Sequence, residues 1–178
     1  SVPRYVQKVE PAVVALSVTA PEDAPSSARL GPRRAGSAVI FDDRGYAVTV
    51  SYLVLDAVRI EARTRDGASI EASLVGVDLD TGLAVVRLRG VGPWPAATLG
   101  DSRDMVEGMV TGSVGADEDN DLVYAQTTLT GVRRFSAFWE YMLPRAFMIS
   151  PAVSSWGGNA MVDERGRLVG VVSLRLGE

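Results

Sequence analysis

The side chains able to carry chemistry in this chain are hydroxyls, carboxylates, arginines and a single lysine; histidine and cysteine are absent. Ser154 and Ser155, adjacent and just ahead of Trp156-Gly157-Gly158, invite a nucleophile reading. A serine attacks a carbonyl only when a base removes its proton. Without histidine or cysteine the chain cannot form a Ser-His-Asp or Cys-His arrangement, an HExxH zinc site or a thiolate centre. A Ser-Lys pair would have to recruit Lys8, which precedes the first predicted strand. Asp78 and Asp80 are close in sequence, but nothing brings two acids to one cleft as paired-carboxylate catalysis requires. Polar loop residues is the plainer reading of both serines. Asp117-Glu118-Asp119-Asn120-Asp121 concentrates carboxylates and reads first as a solvated turn. Its alternative, a hard oxygen-ligated cation, lacks the twelve-residue loop of an EF-hand. No cofactor is expected, and no metal site is assigned.

The chain has 178 residues, a length that suits one ordinary domain or two closely packed lobes. A formal charge of -4 leaves no basic footprint for nucleic acid. The pairs Arg33-Arg34 and Arg133-Arg134 are too short to form a stripe and read as solvated loops. There is no apolar run long enough for a transmembrane helix, and no secretory leader pattern at the start. The lack of cysteine is compatible with any redox compartment.

The elements that must position these groups are mostly strands. Residues 1–10 predict a brief helix ending before Pro11, and residues 11–20 a β-branched strand. Residues 20–36 carry Pro, Ser, Gly and charge without periodicity, which predicts a loop. GSAVIFDD and YAVTV flank an Asp-x-x-Gly turn and predict a hairpin. Further strands follow in VRIEART, ASIEASLVGVD, LAVVRL, GMVTGSVG and DLVYAQTTLTGV. NAMVDERGRLVGVV repeats the hairpin design around Asp163 to Gly166. Asp101-Ser102 reads as a turn or cap. Some ten short strands predict an all-β barrel rather than a sandwich, because closure removes exposed edges. The two similar hairpins suggest two lobes with a boundary within 89–108.

Four blocks in order are specific enough to suggest a family. They are GSAVIFDDRGYAVTVSYLV, TRDGASIEASLVGVDLDTGLAVVRL, PAATLGDSRDMVEGMV and SSWGGNAMVDERGRLVGVV. From residue 11 to about 173 the chain resembles the trypsin-like protease domain of the HtrA (Deg) family of bacterial serine proteases. The resemblance implies a trypsin-like double β-barrel, two six-stranded barrels with the active-site cleft between them. It also implies a single domain over 1–178, with lobes at about 11–95 and 105–178.

Every departure from the family pattern falls where its chemistry resides. In this register Tyr52 stands in place of the general-base histidine, Gly82 in place of the orienting aspartate, and Trp156 in place of the nucleophilic serine. Ser154, with Ser155 beside it, occupies the oxyanion region in place of a glycine, and Asn159 replaces a proline after the glycine pair. A phenol with a pKa near about 10 is a poor base at neutral pH, and an indole N–H cannot attack a carbonyl. The expectation is therefore a pseudoprotease, not an enzyme, acting as a protein-binding, scaffolding or regulatory module. Two alternatives stay open: a peptide-binding module using the remnant cleft by strand addition, and a hydrolase with a noncanonical or partner-completed site.

Tyr52 and Trp156 are expected to meet across the cleft at a centroid separation of roughly 4.5–7 Å and to plug it. Gly157 and Gly158 are turn glycines that backbone geometry demands, or remnants of the lost function. A protein partner or oligomer is expected, without nucleic acid. By resemblance the location is extracytoplasmic, periplasmic or membrane-associated, and an anchor or PDZ module would lie outside these residues. The aromatic stretch with Phe138, Trp139 and Tyr141 is either local packing or a partner-binding surface, since rigid aromatics are favoured at interfaces. On the second reading, replacing Phe138 and Trp139 together weakens a partner complex while leaving the fold intact; wild-type binding by the double variant, measured by calorimetry, refutes it.

Overall fold

The computed structural model describes residues 2–100, 109–134, 145–150 and 157–171 and, over 127–134 and 145–150, the strand backbone alone. Arg4–Val9 form a short helix, α1, continued by a 3-10 turn at Glu10–Ala12 that accommodates Pro11 in its first positions. The chain then enters β1 (Val13–Thr19) and builds β2 (Arg33–Ile40), β3 (Tyr46–Val50), β4 (Arg59–Arg63), β5 (Ser69–Asp78) and β6 (Leu83–Leu88). These pair in the order β1-β2-β3-β6-β5-β4, and the barrel closes where β1 returns to β4 with Leu16 opposite Ala62. Successive strand residues point to opposite faces, yet Ala47, Val48, Thr49 and Val50 on β3 are all fully buried. Both faces of this strand are therefore covered, which explains the continuous apolar text. Ala38, Ala47, Ala62 and Ala84 alternate with Val, Leu and Ile in the core, a mixture of sizes that fits the narrow interior of a small barrel.

The second half contains β7 (Val110–Ala116), β8 (Leu122–Arg134), β9 (Arg145–Ser150), β10 (Ala160–Val162) and β11 (Leu168–Val171). Here the structure corrects the expected architecture. Only one six-stranded barrel is closed; β11-β10-β7-β8-β9 form an open five-stranded sheet among the described residues, so the double barrel is not realised. The reason lies at β11. Leu168 N–H donates to Thr98 O and Gly100 N–H to Leu168 O, both at 2.7 Å. At Leu168 its outer edge is thus taken by the connecting segment in a parallel bridge, Leu99 beside Leu168, and no ladder joins β11 to β9 among the described residues. The three and four residues of β10 and β11, with a register shift after Met161, also offer few positions for the stagger that closure demands.

The stretch 20–36 is not a loop throughout. Ser27–Leu30 make a helical turn, α2, and β2 starts at Arg33, where Arg33 and Arg34 pair with Thr19 and Val18. Pairing to β1 overrides the local composition. The two similar hairpins share one turn chemistry. Asp42 accepts the Arg44 N–H, and Asp163 accepts those of Arg165 and Arg167. Each turn then ends in a glycine of positive φ, Gly45 at 98° and Gly166 at 74°. Among the described residues no helix is long and apolar enough to cross a membrane.

The barrel and the open sheet are joined through Ser37, which is wholly buried. Its Oγ accepts from Ala116 N–H and donates to Ala116 O, each at 2.8 Å. Its N–H donates to Gly157 O at 3.0 Å, and its carbonyl accepts the Thr49 hydroxyl at 2.7 Å. Ser37 lies on β2 just before that strand begins to pair with β3 at Val39, so its free side is available to the other sheet. Removing the hydroxyl leaves both backbone groups of Ala116 unpaired in the interior. Ser37→Ala is expected to lower stability by about 1–3 kcal/mol, read as a lower denaturant midpoint; an unchanged midpoint would show that the junction is held elsewhere.

Candidate functional site

Of the residues that the resemblance assigns to the cleft, Tyr52 and Gly82 are described, and they fall at this same junction. Immediately after β3 the chain turns through α3 (Ser51–Val54), which carries Tyr52. The turn is anchored at its start by Ser51 N–H donating to Gly82 O at 2.8 Å. Gly82 precedes β6 with φ 78°, closed by its own N–H to Asp78 O at 2.9 Å. Position 82 thus meets the start of α3 with a backbone carbonyl, and its left-handed conformation favours glycine. Asp78 is buried, and its carboxylate accepts the Asp80 N–H at 3.0 Å, so it organises the turn that holds Gly82.

The far end of α3 is held by a residue that the sequence did not single out. Arg34, read as half of a solvated basic pair, is only 9% exposed. Its Nη1 donates to Leu55 O at 2.6 Å and Tyr52 O at 3.3 Å, its Nε to Gly31 O at 3.0 Å, and its Nη2 to Ser26 Oγ at 2.8 Å. Burial lowers the guanidinium pKa from its ordinary value and the Asp56 carboxylate raises it. The signal that could have found Arg34 is strand parity. Once β2 is extended back to Arg33, positions 34, 36 and 38 share a face, and an arginine among small residues there must find partners.

Tyr52 is half-buried and packs against the glycine pair. A methyl group added at Gly157 would overlap the Tyr52 hydroxyl, lie 2.8 Å from its Cζ and 2.7 Å from Val50 Cγ2. The phenol therefore rests on the bare backbone of the residue that follows Trp156. Burial raises the Tyr52 pKa, so at neutral pH the group is a protonated donor. Gly158 is constrained still more, with φ 92° and no room for a side chain against Ser37 O and Thr49 Oγ1. Close approach and backbone conformation thus account for both glycines.

Next in line, Asn159 is buried, with its amide donating to Ser113 Oγ at 3.3 Å and its side-chain oxygen filling the space that Gly115 leaves. The sequence marked it only as a replaced proline. A polar amide between a glycine pair and the apolar run Ala160-Met161-Val162 was the available sign of an interior hydrogen bond. Ser154, Ser155 and Trp156 lie outside the described residues, as do Phe138, Trp139 and Tyr141, and with them the expected ring contact between Tyr52 and Trp156.

The acidic loop is a structured turn that also fastens the two halves. Asp117 Oδ1 accepts the N–H groups of Asp119 and Asp121, and Asn120 adopts a positive φ of 63°. Arg65 donates to Asn120 Oδ1 at 2.9 Å and to Asn120 O at 3.0 Å, and Asn120 Nδ2 donates to Thr64 O at 3.0 Å. The carboxylates of Asp117, Asp119 and Asp121 lie close enough to share a cation. Bonds within the turn and to Arg65 explain the arrangement without one.

Set beside known proteins, residues 36–171 match the family described as the trypsin-like peptidase domain. The serine endoprotease DegS of Escherichia coli strain K12 is 32% identical over 148 residues, covering 80% of this chain and 40% of that protein. A probable periplasmic serine endoprotease, DegP-like, of Halomonas elongata is 34% identical over 84 residues, covering 47% of this chain and 18% of that one. A solved structure of the HtrA-type protease AlgW with a tripeptide superposes with a TM-score of 0.74 at 27% identity, over 94% of this chain and 52% of the other. The chain thus spans less than half of the length of these two relatives. The contact that defines the junction can be tested by a double-mutant cycle. Gly157→Ala is expected to cost about 1–3 kcal/mol in an otherwise native chain and less when Tyr52 is already alanine; additive effects would show that the phenol does not occupy that space.

Proposed function

Because the chain belongs to the trypsin-like peptidase domain family, with its family-level match in the HtrA/DegS proteases, we propose that it is a catalytically silent member that acts by binding protein. One observation carries the reading: the Tyr52 phenol lies on the backbone of Gly157, where a hydrolase of this fold needs space for a base and a scissile bond. The phenol is protonated at neutral pH, Gly82 offers no carboxylate, and histidine is absent from the whole sequence. In this reading Tyr52, Gly82 and Trp156 are the altered triad positions, and Ser154 and Ser155 belong to the altered oxyanion region.

Loss of the base, of its orienting acid and of the nucleophile together removes each component that acyl transfer needs, so no residual step is assigned to the site. What remains is a two-part body joined at Ser37, suited to assembly with a protein partner or a second copy of itself. Burial of the phenol at the junction favours scaffolding over capture of a peptide in the old groove. The extracytoplasmic location belongs to the same proposal and is supported by relatives whose names place them in the periplasm.

The decisive experiment treats the protein with a fluorophosphonate probe and, separately, with unfolded casein at high protein concentration. No labelling and no cleavage are expected. Labelling that maps to Ser154 or Ser155, or cleavage abolished by Ser154→Ala or Ser155→Ala, would overturn the proposal.

A further inference from the structure

The turn that carries Tyr52 is tied to a distant surface segment by a set of bonds that no catalytic reading requires. Arg34 stands at the centre, buried and bonded to Tyr52 O and Leu55 O on one side and to Ser26 Oγ on the other. The Ser26 hydroxyl in turn donates a hydrogen bond to Asp56 Oδ2 at 2.6 Å, and its N–H donates to the same oxygen at 3.2 Å. Asp56 immediately follows Leu55 and holds a φ of 61°. Aspartate is among the few non-glycine residues that adopt this left-handed conformation readily, and the bonds from Ser26 hold it there. The segment supplying Ser26 is the exposed stretch between β1 and β2, which contains α2. Its ends are fastened by Ala20 N–H to Pro32 O at 2.8 Å and by Arg34 to Gly31 O.

We propose that Ser26, Arg34 and Asp56 form a latch through which segment 20–32 holds α3 in place and thereby keeps Tyr52 seated on Gly157. The physical argument is that α3 has only one turn and no side-chain cap of its own; Leu53 and Val54 seat it on the core, and the half-buried Tyr52 side is positioned by what grips its two ends. At the start the grip is a single backbone bond to Gly82 O. At the end it is a buried guanidinium, whose bonds to carbonyls are charge-assisted and stronger than neutral ones. Arg34 in turn is oriented by the Ser26 hydroxyl, and Ser26 by Asp56. Displacing segment 20–32 removes Ser26 from both partners at once, frees Asp56 to leave its left-handed conformation, and loosens the turn beneath Tyr52. The latch is therefore a route by which an event at an exposed surface segment reaches the closed junction. The inference rests on the reading of that junction as closed, and its test separates the two.

Nitration by tetranitromethane reports phenol accessibility, and peptide mass spectrometry assigns its extent to each tyrosine. Tyr46, which sits between Arg44 and Arg87 at 5.2 and 4.9 Å from its ring centroid, and Tyr5, which packs on Gly112, serve as internal controls. In the wild type Tyr52 is expected to react more slowly than Tyr46; equal or faster reaction would overturn the closed junction itself. In Ser26→Ala, which deletes both charge-assisted bonds of that hydroxyl, Tyr52 nitration is expected to rise by at least about tenfold, with Tyr5 and Tyr46 unchanged. Asp56→Gly, which keeps the positive φ without strain while deleting the carboxylate, is expected to act in the same direction. A Tyr52 rate equal to the wild type's in both variants overturns the latch, as does a rise shared equally by all three tyrosines.

Discussion

A single serine hydroxyl buried between two sheets sets the geometry from which the rest follows. Ser37 uses its hydroxyl as donor and acceptor toward Ala116, its N–H toward Gly157 and its carbonyl toward Thr49. Few side chains are small enough to sit at this crossing and still pair two backbone groups. Each of these bonds lies where water is excluded, so breaking one leaves an unpaired group at its full desolvation cost. The arrangement brings β2, β3, β7 and the glycine pair within one residue's reach, and the candidate site forms where they meet.

Closeness at that crossing dictates what surrounds it. Gly158 cannot bear a side chain against Ser37 O, and Gly157 cannot bear one beneath Tyr52. The same pair of glycines that would be needed for a catalytic loop is therefore required here by packing alone, whatever the chain does. What the backbone leaves to distinguish the site is its side chains, a protonated phenol at 52 and none at 82, where a bare carbonyl meets the start of α3. The fold is likewise retained without its symmetry. The first half closes, whereas in the second the connecting segment occupies the edge of β11 and the sheet stays open among the described residues.

Much of the local structure was legible. Valine-rich runs between Asp-x-x-Gly turns became hairpins because an Asp carboxylate capping the next N–H groups and a glycine of positive φ are local devices, readable within four residues. Tyr52 and Gly82, 30 residues apart in the sequence, are neighbours in the structure because Ser51 N–H, one residue before Tyr52, donates to Gly82 O. The burial of Arg34 and Asn159 was not legible because polarity in a sequence says nothing about burial; their partners include groups 18 to 46 residues away. Barrel closure failed as an expectation for the same reason, since the competitor for the edge of β11 came from Thr98 and Gly100, in a stretch without strand character.

By itself the sequence determined the strand-and-turn alphabet, the family and the absence of any imidazole or thiol, because these depend on residue type and on neighbours a few positions apart. Only the tertiary structure decided which glycines carry a phenol, which arginine is buried, which serine joins the two sheets and which sheet closes. Those outcomes turn on competition for backbone groups between segments far apart in the chain, and that competition is resolved only when the segments pack.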